Sequence, residues 1–105
     1  MARVRCVGII TNNFGEPIPQ GLVCVERTNE DFTDRESVVK YRASNKGVYD
    51  FYIKAGYYSI YYLENKDGTR EFMGNVHVIP KYKFTTCTVE ELIEKFAVEV
   101  ENEDK

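Results

Sequence analysis

Gly47-Val48-Tyr49-Asp50-Phe51-Tyr52-Ile53-Lys54-Ala55-Gly56-Tyr57-Tyr58-Ser59-Ile60-Tyr61-Tyr62-Leu63 is the stretch that decides the fold. Tyr49, Phe51 and Ile53 recur at every second position, and so do Tyr58, Ile60 and Tyr62. A period of two is the mark of a strand with one buried face. Lys54-Ala55-Gly56 is too short to hold anything but a turn. Two strands joined this tightly make either a hairpin or a sharp corner between two sheets. Either way the six alternating residues are expected to face the core.

Working outward, the flanks carry the same signals. Residues 3–10 are rich in Val, Ile and Cys and alternate weakly, as a first strand does. Asn12 to Pro19 is a turn region, with Gly15 able to take positive φ and Pro17 and Pro19 blocking helix. Leu22 to Arg27 is a second strand and residues 28–35 are an acidic loop. Residues 36–43 form a third strand, and Lys40 and Arg42 on one face fit a sheet edge. Asn65-Lys66-Asp67-Gly68 is a turn. Residues 69–73 and 75–79 complete the β region as one strand bent at Gly74, and Pro80 ends it. The expectation is an all-β fold: a small antiparallel β-sandwich of about seven strands, occupying residues 1–82.

Residues 83–105 read as a connector, a C-terminal amphipathic helix and an acidic tail. Thr88-x-x-Glu91 is a capping box, in which hydroxyl and carboxylate each satisfy a free backbone N–H. Val89, Leu92, Ile93, Phe96 and Val100 then recur at helical spacing. A helix of about three turns is unstable alone, so this face must pack on the body or on another chain.

Composition narrows the function. The chain has 105 residues, 43% of them hydrophobic, with eight Tyr, six Phe and no Trp. Residues 1–89 hold twelve Lys/Arg against ten Asp/Glu, whereas residues 90–105 hold two Lys against seven acids. No basic stripe marks a nucleic-acid partner. No run approaches a membrane span. Arg3 and Arg5 interrupt the apolar N-terminus, so no signal peptide is expected. Cys6, Cys24 and Cys87 are therefore expected as reduced thiols.

Catalytic signals are missing. His77 is the one histidine, and its position between Val76 and Val78 suits an outward-facing strand residue rather than a catalytic base. The scattered cysteines have no zinc spacing, and Glu30, Asp31, Asp34 and Glu36 lack the spacing of a calcium loop. No catalytic residue, metal or cofactor is expected. If Tyr49 and Tyr58 face inward, then Tyr52, Tyr57 and Tyr61 face outward. Such tyrosines suit a protein partner or a sugar, or reflect strand preference alone.

Several motifs carry a resemblance. Val7-Gly8-x-Ile10, Gly15-Glu16-Pro17-Ile18, Gly47-x-Tyr49-x-Phe51 and Gly56-x-Tyr58-x-Ile60 resemble prealbumin-like and carboxypeptidase-regulatory-like sandwiches. Gly74-Asn75-Val76-His77-Val78 and Thr88-Val89-Glu90-Glu91-Leu92-Ile93 follow in an order that resembles the N-terminal domain of prophage and lambdoid side tail fibres. The resemblance spans roughly residues 3–96. It implies a bacteriophage virion protein, made in the bacterial cytoplasm and anchoring a fibre to tail or baseplate proteins. It also implies a homotrimer, with the helix leading toward a shaft. Such fibres continue into a shaft and receptor-binding tip, whereas this sequence stops at Lys105, which points to a fragment or a stand-alone adaptor. The alternatives are a glycan- or protein-binding sandwich with no virion role, and a transthyretin-like hydrolase, which would need more histidines.

Overall fold

The computed structural model describes residues 3–12, 14–64, 68, 70–80 and 86–98. Among these the chain forms seven strands and a helix: β1 (Arg3–Ile9), β2 (Leu22–Thr28), β3 (Arg35–Arg42), β4 (Val48–Lys54), β5 (Gly56–Leu63), β6 (Arg70–Val78), β7 (Thr86–Cys87) and α1 (Val89–Phe96). Two sheets result, of order β3-β2-β5-β6 and β4-β1-β7. The small all-β sandwich with one short helix is thus the fold that the alternation implied.

The deciding stretch is a corner, not a hairpin: β4 lies in the three-stranded sheet and β5 in the four-stranded one. Its six alternating residues all enter the core between the sheets, with Val4, Cys6, Val23 and Val76. Gly47 closes the turn before β4 at φ +81, a region open to glycine. Its N–H donates to Ser44 O at 2.9 Å, and its carbonyl accepts from Ile10 N at 2.8 Å.

β3 is an edge strand of the larger sheet, as its charges suggested. β6 is one continuous strand with a register shift opposite Ile60/Tyr61, which leaves Met73 beside Gly74 without a partner on β5. Such a bulge bends a strand without ending it.

Three expectations need correction. The sandwich is not wholly antiparallel, because β7 runs parallel to β1. Thr86-Cys87 is too short to show any alternation, so periodicity could not reveal it. The helix also stops at Phe96 rather than continuing to Val100: Ala97 is extended (φ −57, ψ 140) and bridges antiparallel to Val76. Val98 N then donates to Asn75 O at 3.0 Å. The open edge of β6 offers hydrogen bonds that another helical turn would forgo. Third, the helix has two turns, not three. Val100, the Asn65–Asp67 turn, residues 81–85 and the acidic end lie outside the described residues.

The helix start is as the capping box implied. Thr88 Oγ1 accepts from Glu91 N at 3.1 Å and Glu91 Oε1 accepts from Thr88 N at 2.9 Å. Two core tyrosines tie this end to the sandwich: Tyr49 Oη accepts from Val89 N at 2.8 Å, and Tyr62 Oη donates to Glu90 Oε2 at 3.1 Å. Gly8 makes room for the first, since a Cβ there would stand 2.6 Å from Tyr49 Oη. Burial pushes Tyr49 up to about 12 and raises Tyr62 further.

Candidate functional site

Strand parity that sends Val23, Val25, Tyr58, Ile60 and Tyr62 into the core sends their neighbours to the opposite face of the four-stranded sheet. That outer face is built of cross-strand rows from β2, β5 and β6: Thr28, Tyr57 and His77; Glu26, Ser59 and Asn75; Cys24, Tyr61 and Phe72; Leu22, Leu63 and Arg70. Directly opposed residues in such rows are close enough to interact.

One end is aromatic. Tyr57 stacks on His77 with ring centroids 4.0 Å apart and planes at 14°. Phe32 meets Tyr57 edge-on at 5.8 Å. Phe32 comes from the loop after β2 and sits at φ +61, unusual for a bulky residue. Asn29 holds that loop: its Oδ1 accepts from Thr33 N at 2.9 Å and Asp34 N at 3.1 Å. A strained aromatic held by a side-chain-closed loop is a feature that clusters at functional surfaces.

The centre is polar and closed. Ser59 Oγ donates to Asn75 Oδ1 at 2.6 Å. The Glu26 side chain is only 7% exposed and accepts from two cations, Arg70 Nη1 at 2.6 Å and Arg35 Nη1 at 3.1 Å. Burying a carboxylate is costly unless it is paired and hydrogen-bonded, and the two arginines supply both. Its hydrogen bond raises the Arg70 pKa. Arg70 also lies over the Tyr61 ring at 4.0 Å, and Tyr61 meets Phe72 at 5.3 Å with planes at 59°. Phe72 is 54% exposed. Glu26, Thr28, Arg35, Ser59 and Arg70 line a shallow depression of about 630 Å³.

Tyr57 and Tyr61 therefore share a face, and Tyr52 does not. Tyr52 is on β4, on the far side of the sandwich, 50% exposed, with Arg3 over its ring at 4.5 Å and the Arg5–Asp50 pair beside it. All three point outward, but outward from different sheets, because the chain changes sheet at the corner. The three do not form one platform. Phe32, Phe72, Glu26 and Arg70 complete the face around Tyr57 and Tyr61, and were not foreseen. Phe72 is the one a sequence could have flagged, as an aromatic within a strand.

The helix residues lie elsewhere. Val89 and Leu92 are fully buried in the chain's own core, and Ile93 and Phe96 pack against it, Ile93 over Gly74. Body packing thus uses this face, and a seam between chains would have to take Val89 and Leu92 out of the core. Among the described residues no three His, Cys, Asp or Glu side chains converge as metal ligands, and no helix is long and apolar enough to cross a membrane.

No protein-family model matches the chain, and no curated protein matches it.

Proposed function

We propose that the chain is a non-catalytic docking module whose outer four-stranded face binds a protein partner. The observation that carries this reading is the cluster of exposed Phe72, partly buried Tyr61 and half-exposed Arg70 beside a Glu26 carboxylate already paired with Arg35 and Arg70. Tyr, Phe and Arg are enriched where proteins bury surface against each other. Because Glu26 already has both cations, covering this centre leaves no buried carboxylate unpaired.

In the specific form its motifs suggest, the module is a bacteriophage tail-fibre attachment domain or baseplate adaptor. It works in the virion tail, without cofactor, nucleic acid or membrane. With the helix face engaged in the chain's own core, a trimer would be arranged by the partner's symmetry rather than by a helical seam. A glycan platform of Tyr52, Tyr57 and Tyr61 is disfavoured because they lie on opposite sides of the sandwich. Tyr57 is also already covered by His77 and Phe32.

The test is to co-express the chain with the products of the genes flanking its own and to measure complexes by light scattering. A stable complex with a long fibre or baseplate-type protein, lost in the Tyr61→Ala/Phe72→Ala variant, is the expected result. Binding that survives the double substitution would remove this face from the interface. Binding of glycans in place of any protein would overturn the docking role.

A further inference from the structure

Two of the three thiols meet inside the sandwich. Cys6 on β1 and Cys87 on β7 are register partners in the parallel pair, and both belong to the main core. Adjacent strands lie about 4.8 Å apart, within the span of about 4.4–6.8 Å between Cα atoms that a disulfide bridges. Burial raises the pKa of both thiols. Cys24 stands apart, on the outer face of the other sheet with Leu22 and Leu63.

A second observation concerns access. A cavity of about 430 Å³ is lined by Thr86, Cys87, Glu91 and Glu94. Cys87, 6% exposed, is thus the thiol at the cavity, while Cys6 lies wholly inside. β7 is only two residues long, so the slight approach of Cβ atoms that a disulfide requires disturbs little of the ladder.

We propose that Cys6 and Cys87 are a redox-convertible pair, in which Cys87 reacts with a small disulfide from the cavity and Cys6 then closes an intramolecular bond. The Cys87 thiolate attacks one sulfur of the small disulfide. That S–S bond breaks, and the leaving thiolate takes up a proton. The Cys6 thiolate next attacks the Cys87 sulfur, breaking the mixed disulfide and releasing the second small thiol. Two protein thiols lose two electrons and two protons, and one small disulfide becomes two thiols. The order follows position, because Cys87 stands at the cavity and Cys6 lies wholly inside. Burial pushes Cys6 up to about 12, which makes the closing step the slow one. The bond would fasten the residue just before the helix cap Thr88 to β1, at the heart of the three-stranded sheet.

The test incubates the folded chain with oxidised glutathione at about pH 8.5, near the ordinary thiol pKa. Remaining thiols are then alkylated in denaturant. Peptides are mapped after chymotryptic cleavage, which cuts after Phe14 and separates Cys6 from Cys24. The wild type is expected to lose two alkylatable thiols and yield a Cys6–Cys87 cross-linked peptide, with Cys24 still reduced. Cys6→Ala should hold one glutathione on Cys87, and Cys87→Ala should take up none at residue 6. Circular dichroism checks that both variants fold, and the wild type alone decides whether the bond forms. Three alkylatable thiols after treatment would overturn the proposal. So would a glutathione on Cys87 that never resolves, or a bond to Cys24.

Discussion

Gly8 and Tyr49 are register partners across β1 and β4, and together they set where the helix begins. The tyrosine ring crosses over the glycine and presents its hydroxyl to Val89 N, a donor with no partner inside the helix. Gly8→Ala would place a methyl 2.6 Å from that hydroxyl and 2.9 Å from the ring carbon bearing it. Overpacking of this kind costs about 1–3 kcal/mol. Urea denaturation should show that loss for Gly8→Ala. In the background of Tyr49→Phe, which lacks the oxygen, the same substitution should cost measurably less. Equal costs in both backgrounds would show that the hydroxyl is not what the methyl meets. Glu26 makes a different point at this scale: a charge hidden on an outward face, between Arg35 and Arg70, marks a surface more closed than its exposure to water would suggest.

Helix α1 is a covering element. Its apolar face closes the side of the sandwich formed by β6 and β1, and its acidic first turn, Glu90 and Glu91, suits the positive end of the helix dipole. With Leu92 wholly buried in the chain's own core, Leu92→Ala should destabilise the monomer by about 2–5 kcal/mol. Chemical denaturation measures this. Light scattering on the folded variant should give the same mass as the wild type at any concentration. A change in mass at unchanged unfolding midpoint would instead place Leu92 between chains. The corner between β4 and β5 is the other decisive element. It sends two strands of like pattern into opposite sheets, and so parts Tyr52 from Tyr57 and Tyr61.

For the molecule as a whole, the core is unusually phenolic, and this sets its response to alkali. Tyr49 and Tyr62 are buried and neutral, with ionisation raised by burial; Tyr49 moves from 10.0 to about 12. Their contribution is intact below the unfolded value near 10. As pH rises above it, the unfolded chain ionises first, binds fewer protons than the folded one, and gains in stability relative to it. Stability should therefore hold through neutral pH and fall between pH 10 and 12, followed by tyrosinate absorbance together with the loss of β-sheet circular dichroism. Tyrosinate formation at the ordinary pKa for all eight residues, with the fold intact, would contradict this.

Local pattern alone determined much of this protein. The alternation of Tyr49, Phe51, Ile53, Tyr58, Ile60 and Tyr62 set an all-β core, because a side-chain period of two leaves each strand one buried face. Thr88 and Glu91 set the start of the helix, because a capping box is complete within four residues. What local pattern does not contain is the sheet to which a strand belongs. That depends on hydrogen-bond partners far along the chain, and so only the tertiary structure decided that β4 and β5 part company and that β7 lies parallel to β1. The same reason governs the candidate site. Glu26, Ser59, Phe72 and Arg70 come from three strands and become neighbours only through register, while Cys6 and Cys87, far apart in sequence, meet because two strands happen to run side by side. The end of the helix was decided in the same way, by the unpaired edge of β6 drawing Ala97 and Val98 into extended pairing where the apolar spacing by itself would have carried the helix on.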